Sequence, residues 1–274
     1  MYHRQIDNVQ LVVEIDDDLF AESEKIFDSL FSSFSVFTPL SNKGIKKIRI
    51  FHHLNYKGIN NKDLYDYYII CNPNEDNWAA LLIDFLEYCF QSVFKCTVLH
   101  GSCLSINGLG VLVLGNRKCG KSTLTRFLTN YKNVLFLDDD SVYVQRESII
   151  GFGFPIRLRN VTQNDHTIID VFFDGEDQRY ICDVNHVKKT YEVNNVSLVI
   201  FPEYNKESGF SIESIFGSDL INYAIHNLKD SPSLYKSFKD ISSLLKNVKA
   251  FQIKYNNCEM VGEFIMDFLN VDAF

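Results

Sequence analysis

No stretch of the 274 residues approaches the roughly 18 consecutive apolar residues that a membrane-crossing helix needs. The opening Met1-Tyr2-His3-Arg4-Gln5 carries none of the apolar core of a secretory signal. There is no C-x-x-C pair either. The seven cysteines (Cys71, Cys89, Cys96, Cys103, Cys119, Cys182, Cys258) are odd in number and irregular in spacing. Such a set argues against a disulfide framework or a zinc site and fits a reducing compartment, so the expectation is a cytoplasmic protein. Basic charge is in short supply: 27 Lys and Arg against 35 Asp and Glu leave a formal net charge of −8. That balance disfavours nucleic acid or an anionic membrane as the main partner. No internal repeat or low-complexity segment interrupts the chain.

What the chain does have is apolar mass and one dense motif. It is 46% hydrophobic, with 23 Phe and 14 Tyr, enough for a large and partly aromatic core. Val111-Leu112-Val113-Leu114 reads as a buried strand. Gly115-Asn116-Arg117-Lys118-Cys119-Gly120-Lys121-Ser122-Thr123 follows, and Leu124-Thr125-Arg126-Phe127-Leu128 continues as a helix. The order strand, glycine-bounded loop, helix, with the spacing G-x-x-x-x-G-K-S, is that of a phosphate-binding loop (P-loop, Walker A). Successive backbone N–H groups cradle phosphate oxygens, and the helix N-terminus adds the positive end of its dipole. In that geometry Lys121 reaches the β- and γ-phosphates and the Ser122 hydroxyl takes Mg²⁺. Cys119 lies inside the loop, where a helix N-terminus can lower a thiol pKa; an incidental small residue is the plainer reading.

A second acidic feature follows on the next strand. Val134-Leu135-Phe136-Leu137 runs straight into Asp138-Asp139-Asp140. A right-handed strand-helix-strand crossover brings both strand ends to one edge of the sheet, so the acids land beside the loop. Three consecutive carboxylates at a buried strand end repel one another unless a cation sits among them. The layout puts a metal-binding acid and a candidate catalytic base together opposite the γ-phosphate. Other nucleotide classes lack support. Asn61-Lys62-Asp63 misses the spacer of a guanine-reading N-K-x-D, Asn205-Lys206-Glu207 ends in the wrong acid, and no L-S-G-G-Q marks a transporter ATPase.

The remaining pattern predicts an α/β chain: a mixed sheet flanked by helices, with a small N-terminal α+β domain over residues 1–75 and the phosphate-loop domain over 76–274. Asn72-Pro73-Asn74-Glu75 breaks the chain at that point. A helix is expected from about Asp76 to Phe94, with Trp78, Leu81, Leu82, Phe85, Leu86 and Cys89 along its apolar stripe. Residues 96–106 read as one strand, joined through the Asn107-Gly108 turn to the phosphate-loop strand as an antiparallel hairpin. Asp16-Asp17-Asp18 reads as a solvated helix start, and His52-His53 as a poor chelating pair, since neighbours on a strand face opposite sides. Tyr56 to Lys62 reads as a loop.

The order Leu99-His100-Gly101-Ser102, Gly108-x-Gly110-Val111-Leu112-Val113-Leu114-Gly115, Gly120-Lys121-Ser122-Thr123 and Asp139-Asp140-x-Val142 resembles the HPr kinase/phosphorylase superfamily. The smaller related members, some of which phosphorylate serine in ribosomally made peptides, are nearest. Phe154-Pro155-x-x-x-Leu158-Arg159, Arg179-Tyr180 and Leu198-Val199-Ile200-Phe201-Pro202 extend the likeness over about residues 96–274. The resemblance implies an HPr-kinase-like fold and a loop, Gly115 to Thr123, that holds ATP with Mg²⁺ on Ser122 and Asp139. It makes Asp140 the general base for an acceptor hydroxyl, and it sets His100 near the γ-phosphate beside Lys121. Alternation along a strand would put Asp138 on the same side as Asp140, which leaves the register open by one residue. A satisfied core histidine is the other reading of His100. Arg159 and Arg179 are matched as phosphate or substrate contacts, with surface ion pairs an equal explanation.

Two departures narrow what the likeness implies. The family has glycine where Lys118 stands and serine where Arg117 stands. The glycine- and glutamate-containing segment associated with phosphorolysis is missing after Asp140, so neither phosphorylase activity nor HPr as the substrate is expected. The implied function is an Mg·ATP-dependent kinase acting on a hydroxyl, expected to be serine of a peptide or small protein. A small-molecule kinase and a nucleotide-sensing module with little catalysis are the alternatives. Residues 1–75 are left as a substrate-binding or homo-oligomer-forming segment.

Overall fold

The computed structural model describes residues 2–6, 9–31, 45–52, 65–74, 77–159, 161, 167–174, 176–183, 192–207, 209–231 and 233–269. The chain forms two compact units, Met1–Lys95 with Arg157–Asn185, and Cys96–Ile156 with His186–Phe274. The boundary expected near residue 75 differs from this division, because the long helix belongs with the first unit and residues 157–185 return to it. His53 and the loop expected at residues 56–62 lie outside the described residues.

The first unit opens with β1 (Tyr2–Ile6), β2 (Val9–Ile15), α1 (Asp17–Glu22), α2 (Glu24–Leu30), β3 (Ile45–His52), β4 (Tyr67–Cys71) and α3 (Trp78–Phe94). The strands form one sheet in the order β1-β2-β3-β4. β1 is antiparallel to β2, while β2, β3 and β4 run parallel. Burial follows the period of two that a half-covered strand requires: Ile48 and Ile50 are sealed, while Lys47 is exposed. α3 turns Ala79, Leu82, Ile83, Leu86 and Phe90 inward, and Trp78 packs on Phe27 with ring centroids 6.2 Å apart. Leu81 lies 60% exposed, so the apolar stripe is rotated away from it. Asp16 also departs from expectation. It is buried and ion-paired with Arg49, leaving Asp17 and Asp18 as the solvated acids of the first turn.

The second unit begins with β5 (Thr97–Leu99), β6 (Gly101–Ile106), β7 (Leu109–Leu114), α4 (Lys121–Leu128), β8 (Val134–Asp138), β9 (Val142–Gln145) and β10 (Ser148–Ile150). β11 (Ile156–Leu158) carries the chain out, and with β12 (Ile168–Asp174) and β13 (Asp177–Cys182) it forms a three-stranded sheet, β11-β13-β12. The return brings β14 (Glu192–Val193), β15 (Val196–Tyr204), β16 (Ser211–Ile215), α5 (Gly217–His226), β17 (Leu228–Asp230), α6 (Leu234–Leu244), β18 (Lys249–Tyr255) and α7 (Cys258–Phe268).

Two sheets organise this unit: a six-stranded one, β16-β18-β15-β7-β6-β8, and a five-stranded one, β14-β10-β9-β5-β17. One apolar cluster joins them. Leu112, Leu114 and Val199 come from the first sheet, Leu99, Val142 and Val144 from the second, and Leu220, Ala224 and Ile241 from α5 and α6. The architecture is mixed α/β, with β6 antiparallel to both β7 and β8 and β15 parallel to β7.

The expected single strand over 96–106 is broken at His100. β5 lies in the five-stranded sheet and β6 in the six-stranded one. A Cβ at Gly101 would sit 2.5 Å from Leu114 Cδ2 and 2.7 Å from the Val113 carbonyl oxygen, so the chain changes sheets where only glycine fits.

Candidate active site

β7 is sealed between β6 and β15 and ends at Leu114, which delivers the loop to the edge of the six-stranded sheet. Gly120 turns the loop into α4 with φ +100°, and a Cβ there would meet Tyr255 Oη at 2.4 Å. The loop is pinned from below by the neighbouring strands. Tyr204 N–H donates to the Cys119 carbonyl at 3.1 Å, and Tyr255 Oη reaches the Gly120 carbonyl at 3.4 Å. Lys121 is 6% exposed and folds across the loop, donating to the carbonyls of Gly115 at 2.8 Å and Asn116 at 2.9 Å. Lys118 adopts φ +70°, the left-handed region where glycine costs least. That is the position where the resemblance leads one to expect glycine. Burial pushes the Cys119 thiol up, with Lys121 pulling weakly the other way, so the loop cysteine is not activated.

The three aspartates after β8 go to three different places. Asp138 takes a structural position: Oδ2 accepts from Phe152 N–H at 2.6 Å and Oδ1 from Phe154 N–H at 3.0 Å, fixing the Gly151–Phe154 segment. Asp139 is buried. Its Oδ1 accepts the Ser102 hydroxyl, while Oδ2 has no hydrogen-bond partner among the described residues. Burial raises the Asp139 pKa above the usual carboxylate range, and the charge of Asp140 adds to this. Ser102, Ser122 and Lys121 favour the ionised form, yet Ser122 closes no bond of normal geometry to Oδ2.

Asp140 has φ +67°, which breaks the strand alternation and separates it from Asp138. His100 Nε2 lies 3.1 Å from Asp140 Oδ1. His100 stands at the break between β5 and β6, with its backbone N–H on the Asn227 carbonyl at 2.6 Å. Lys229 Nζ donates to Asp140 Oδ2 at 3.0 Å.

The second unit therefore assembles Lys121, Ser122, Asp139, Asp140 and His100 around one strand edge, with Asp139 electrostatically coupled to both Lys121 and Asp140. Ser102 and Lys229 complete the cluster and are not singled out by sequence reasoning. Ser102 falls within the quoted Leu99-His100-Gly101-Ser102, where a hydroxyl one strand from a carboxylate is a usable signal. Lys229 gives none, being 89 residues from Asp140 on a three-residue strand. Arg159 ion-pairs with Asp177 at 2.5 Å, and Arg157 with Asp84 at 2.9 Å, all within the first unit. Among the described residues no three His, Cys, Asp or Glu side chains gather as a metal cage, and no helix is long and apolar enough to cross a membrane.

Chemically, a loop of this sequence can cradle an anionic group of phosphate type with its backbone amides, and Lys121 is held against its carbonyls at 2.8 and 2.9 Å. The Asp140–His100 pair presents an oriented proton acceptor.

No protein-family profile matches the chain, and no curated protein matches it in sequence. Among solved structures it is similar to the HPr(Ser) kinase/phosphatase from Coxiella burnetii, at 14% identity and a TM-score of 0.31, over 62% of this chain and 95% of that one. A likeness this loose leaves the functional reading to the site's own geometry.

Proposed function

We propose that the chain is an ATP-dependent phosphotransferase that moves the γ-phosphoryl group to a hydroxyl, that of serine in a peptide or small protein. The observation that carries the reading is the position of Asp139. Buried with Oδ2 unpartnered among the described residues, it feels the Lys121 charge and the Ser122 hydroxyl of the loop as well as the carboxylate of Asp140, whose Oδ1 lies 3.1 Å from His100 Nε2. The serine acceptor rests on the sequence resemblance alone.

The residues fit Mg²⁺. A buried carboxylate oxygen without a partner, close to a loop hydroxyl, suits a hard cation that takes one or two protein ligands and completes its shell with phosphate oxygens and water. Ser122 and Asp139 would hold it, and when bound it neutralises charge developing on the β- and γ-phosphate oxygens. The loop amides and Lys121 grip the same phosphates and exclude water from them. The acceptor hydroxyl oxygen bonds to the γ-phosphorus as the bond to the β,γ-bridging oxygen breaks, and ADP leaves. The hydroxyl proton passes to Asp140, whose carboxylate His100 orients.

The test is incubation of the full chain with Mg²⁺, γ-labelled ATP and a degenerate library of serine-centred peptides. Labelled phosphoserine is the expected product. ATP binding with label passing to neither peptide nor water overturns the reading, and transfer confined to small hydroxyl metabolites replaces the acceptor.

A further inference from the structure

β17 is short, but its pairing is irregular at one informative place. Against β5, Leu228 faces Leu99 and Asp230 faces Val98, so two residues of β17 answer one step of β5. The extra residue is Lys229. Such a bulge bends a strand and re-aims a side chain, and bulges recur beside active sites. Here the re-aimed ammonium meets Asp140 Oδ2 at 3.0 Å and the Ser141 hydroxyl at 2.7 Å.

The sheet order gives this contact its meaning. β9, β5 and β17 are consecutive strands of the five-stranded sheet. Asp140 and Ser141 lead into β9, His100 directly follows β5, and Lys229 lies on β17. Three adjacent strands thus bring one carboxylate between two nitrogen groups, with His100 on Oδ1 and the Lys229 ammonium on Oδ2. With side chains about one-third exposed, the ion pair contributes little to folding. Its value lies in fixing the plane of the carboxylate.

We infer that Lys229 is a positioning residue for phosphoryl transfer: it holds Asp140 Oδ2 while His100 holds Oδ1, so that the remaining lone pairs face the incoming hydroxyl. Ser141 fixes the direction of the ammonium. The inference rests on the phosphotransferase reading, in which Asp140 takes the acceptor proton.

The test uses the purified full chain and Mg·ATP, with water as the acceptor and ADP release as the readout. Lys229→Met is expected to lower kcat by roughly tenfold to hundredfold, with KM for ATP within about twofold, as expected for a misplaced reacting group. Lys229→Arg should recover much of that loss, since a guanidinium keeps the charge and both hydrogen bonds, and it controls for any folding defect of the methionine variant. Because Lys229 acts through Asp140, the double variant Asp140→Asn/Lys229→Met should be no slower than Asp140→Asn alone. Wild-type kcat in Lys229→Met, or losses that multiply in the double variant, would overturn the role of Lys229 and leave the phosphotransferase reading standing. If wild type and Asp140→Asn turn over ATP equally, or neither does, the base assignment fails and Lys229 falls with it.

Discussion

Asp139 and Asp140 are neighbours in the chain and occupy opposite environments: one is buried with a bare oxygen, the other partly exposed between an imidazole and an ammonium. Each environment suits a different task. A buried carboxylate that lacks a partner gains most from a cation. A carboxylate held on both oxygens is oriented for a proton.

Asp139→Asn should therefore stabilise the protein in the absence of metal. The amide keeps the shape and removes the cost of a buried charge and of its repulsion with Asp140, the two effects that disfavour the ionised carboxylate. A melting temperature higher by a few degrees is expected, together with loss of the extra stabilisation that Mg²⁺ gives to the nucleotide-bound wild type. Differential scanning fluorimetry with and without EDTA checks both. A lower melting temperature in EDTA would mean that Oδ2 is satisfied as it stands.

Asp138 serves the fold. Asp138→Ala leaves the Phe152 and Phe154 N–H groups without their acceptor in a buried setting, at a cost of about 3 kcal/mol. Urea unfolding should show a shift of that order. Should the variant fold normally and lose only activity, Asp138 would have to change places with Asp140.

Gly120→Ala combines strain with collision, since the backbone is at φ +100° and the new methyl would overlap Tyr255 Oη. ATP binding, followed by fluorescence of a labelled analogue, should be lost. Restoring it by pairing Gly120→Ala with Tyr255→Ala would show that collision outweighs backbone strain; failure to restore it would assign the defect to the backbone.

Lys118→Gly should raise stability by about 1 kcal/mol, because the position already has a left-handed backbone. Thermal melting measures it. An unchanged or lower stability would show that the lysine side chain contributes more than its backbone costs.

The readable parts of the sequence were those governed by local chemistry. G-x-x-x-x-G-K-S dictates a strand, a turn and a helix, and the loop lies between β7 and α4, where that order puts it. The mixed sheet could be read from Asn107-Gly108 and the apolar runs. Long-range choices were not readable. Period-two reasoning grouped Asp138 with Asp140, but φ +67° at Asp140 breaks the period at the residue in question. The strand over 96–106 divides because Gly101 must slip beneath Leu114, a clash that exists only after β7 has paired. Lys229 is placed by a bulge in a three-residue strand, too short for any periodic signal. The unit boundary moved because residues 157–185 pack with the N-terminal segment, a partnership no composition shift marks.

The most direct test of the central claim separates nucleotide binding from transfer in Asp140→Asn. In a single-turnover assay with Mg·ATP and the serine peptide library, wild type should form ADP and phosphoserine. Asp140→Asn should bind ATP within about twofold of wild type and transfer at least ~100-fold more slowly, the scale of a lost general base. Equal transfer by the two proteins would contradict the account, as would tight ATP binding by wild type with no ADP formed.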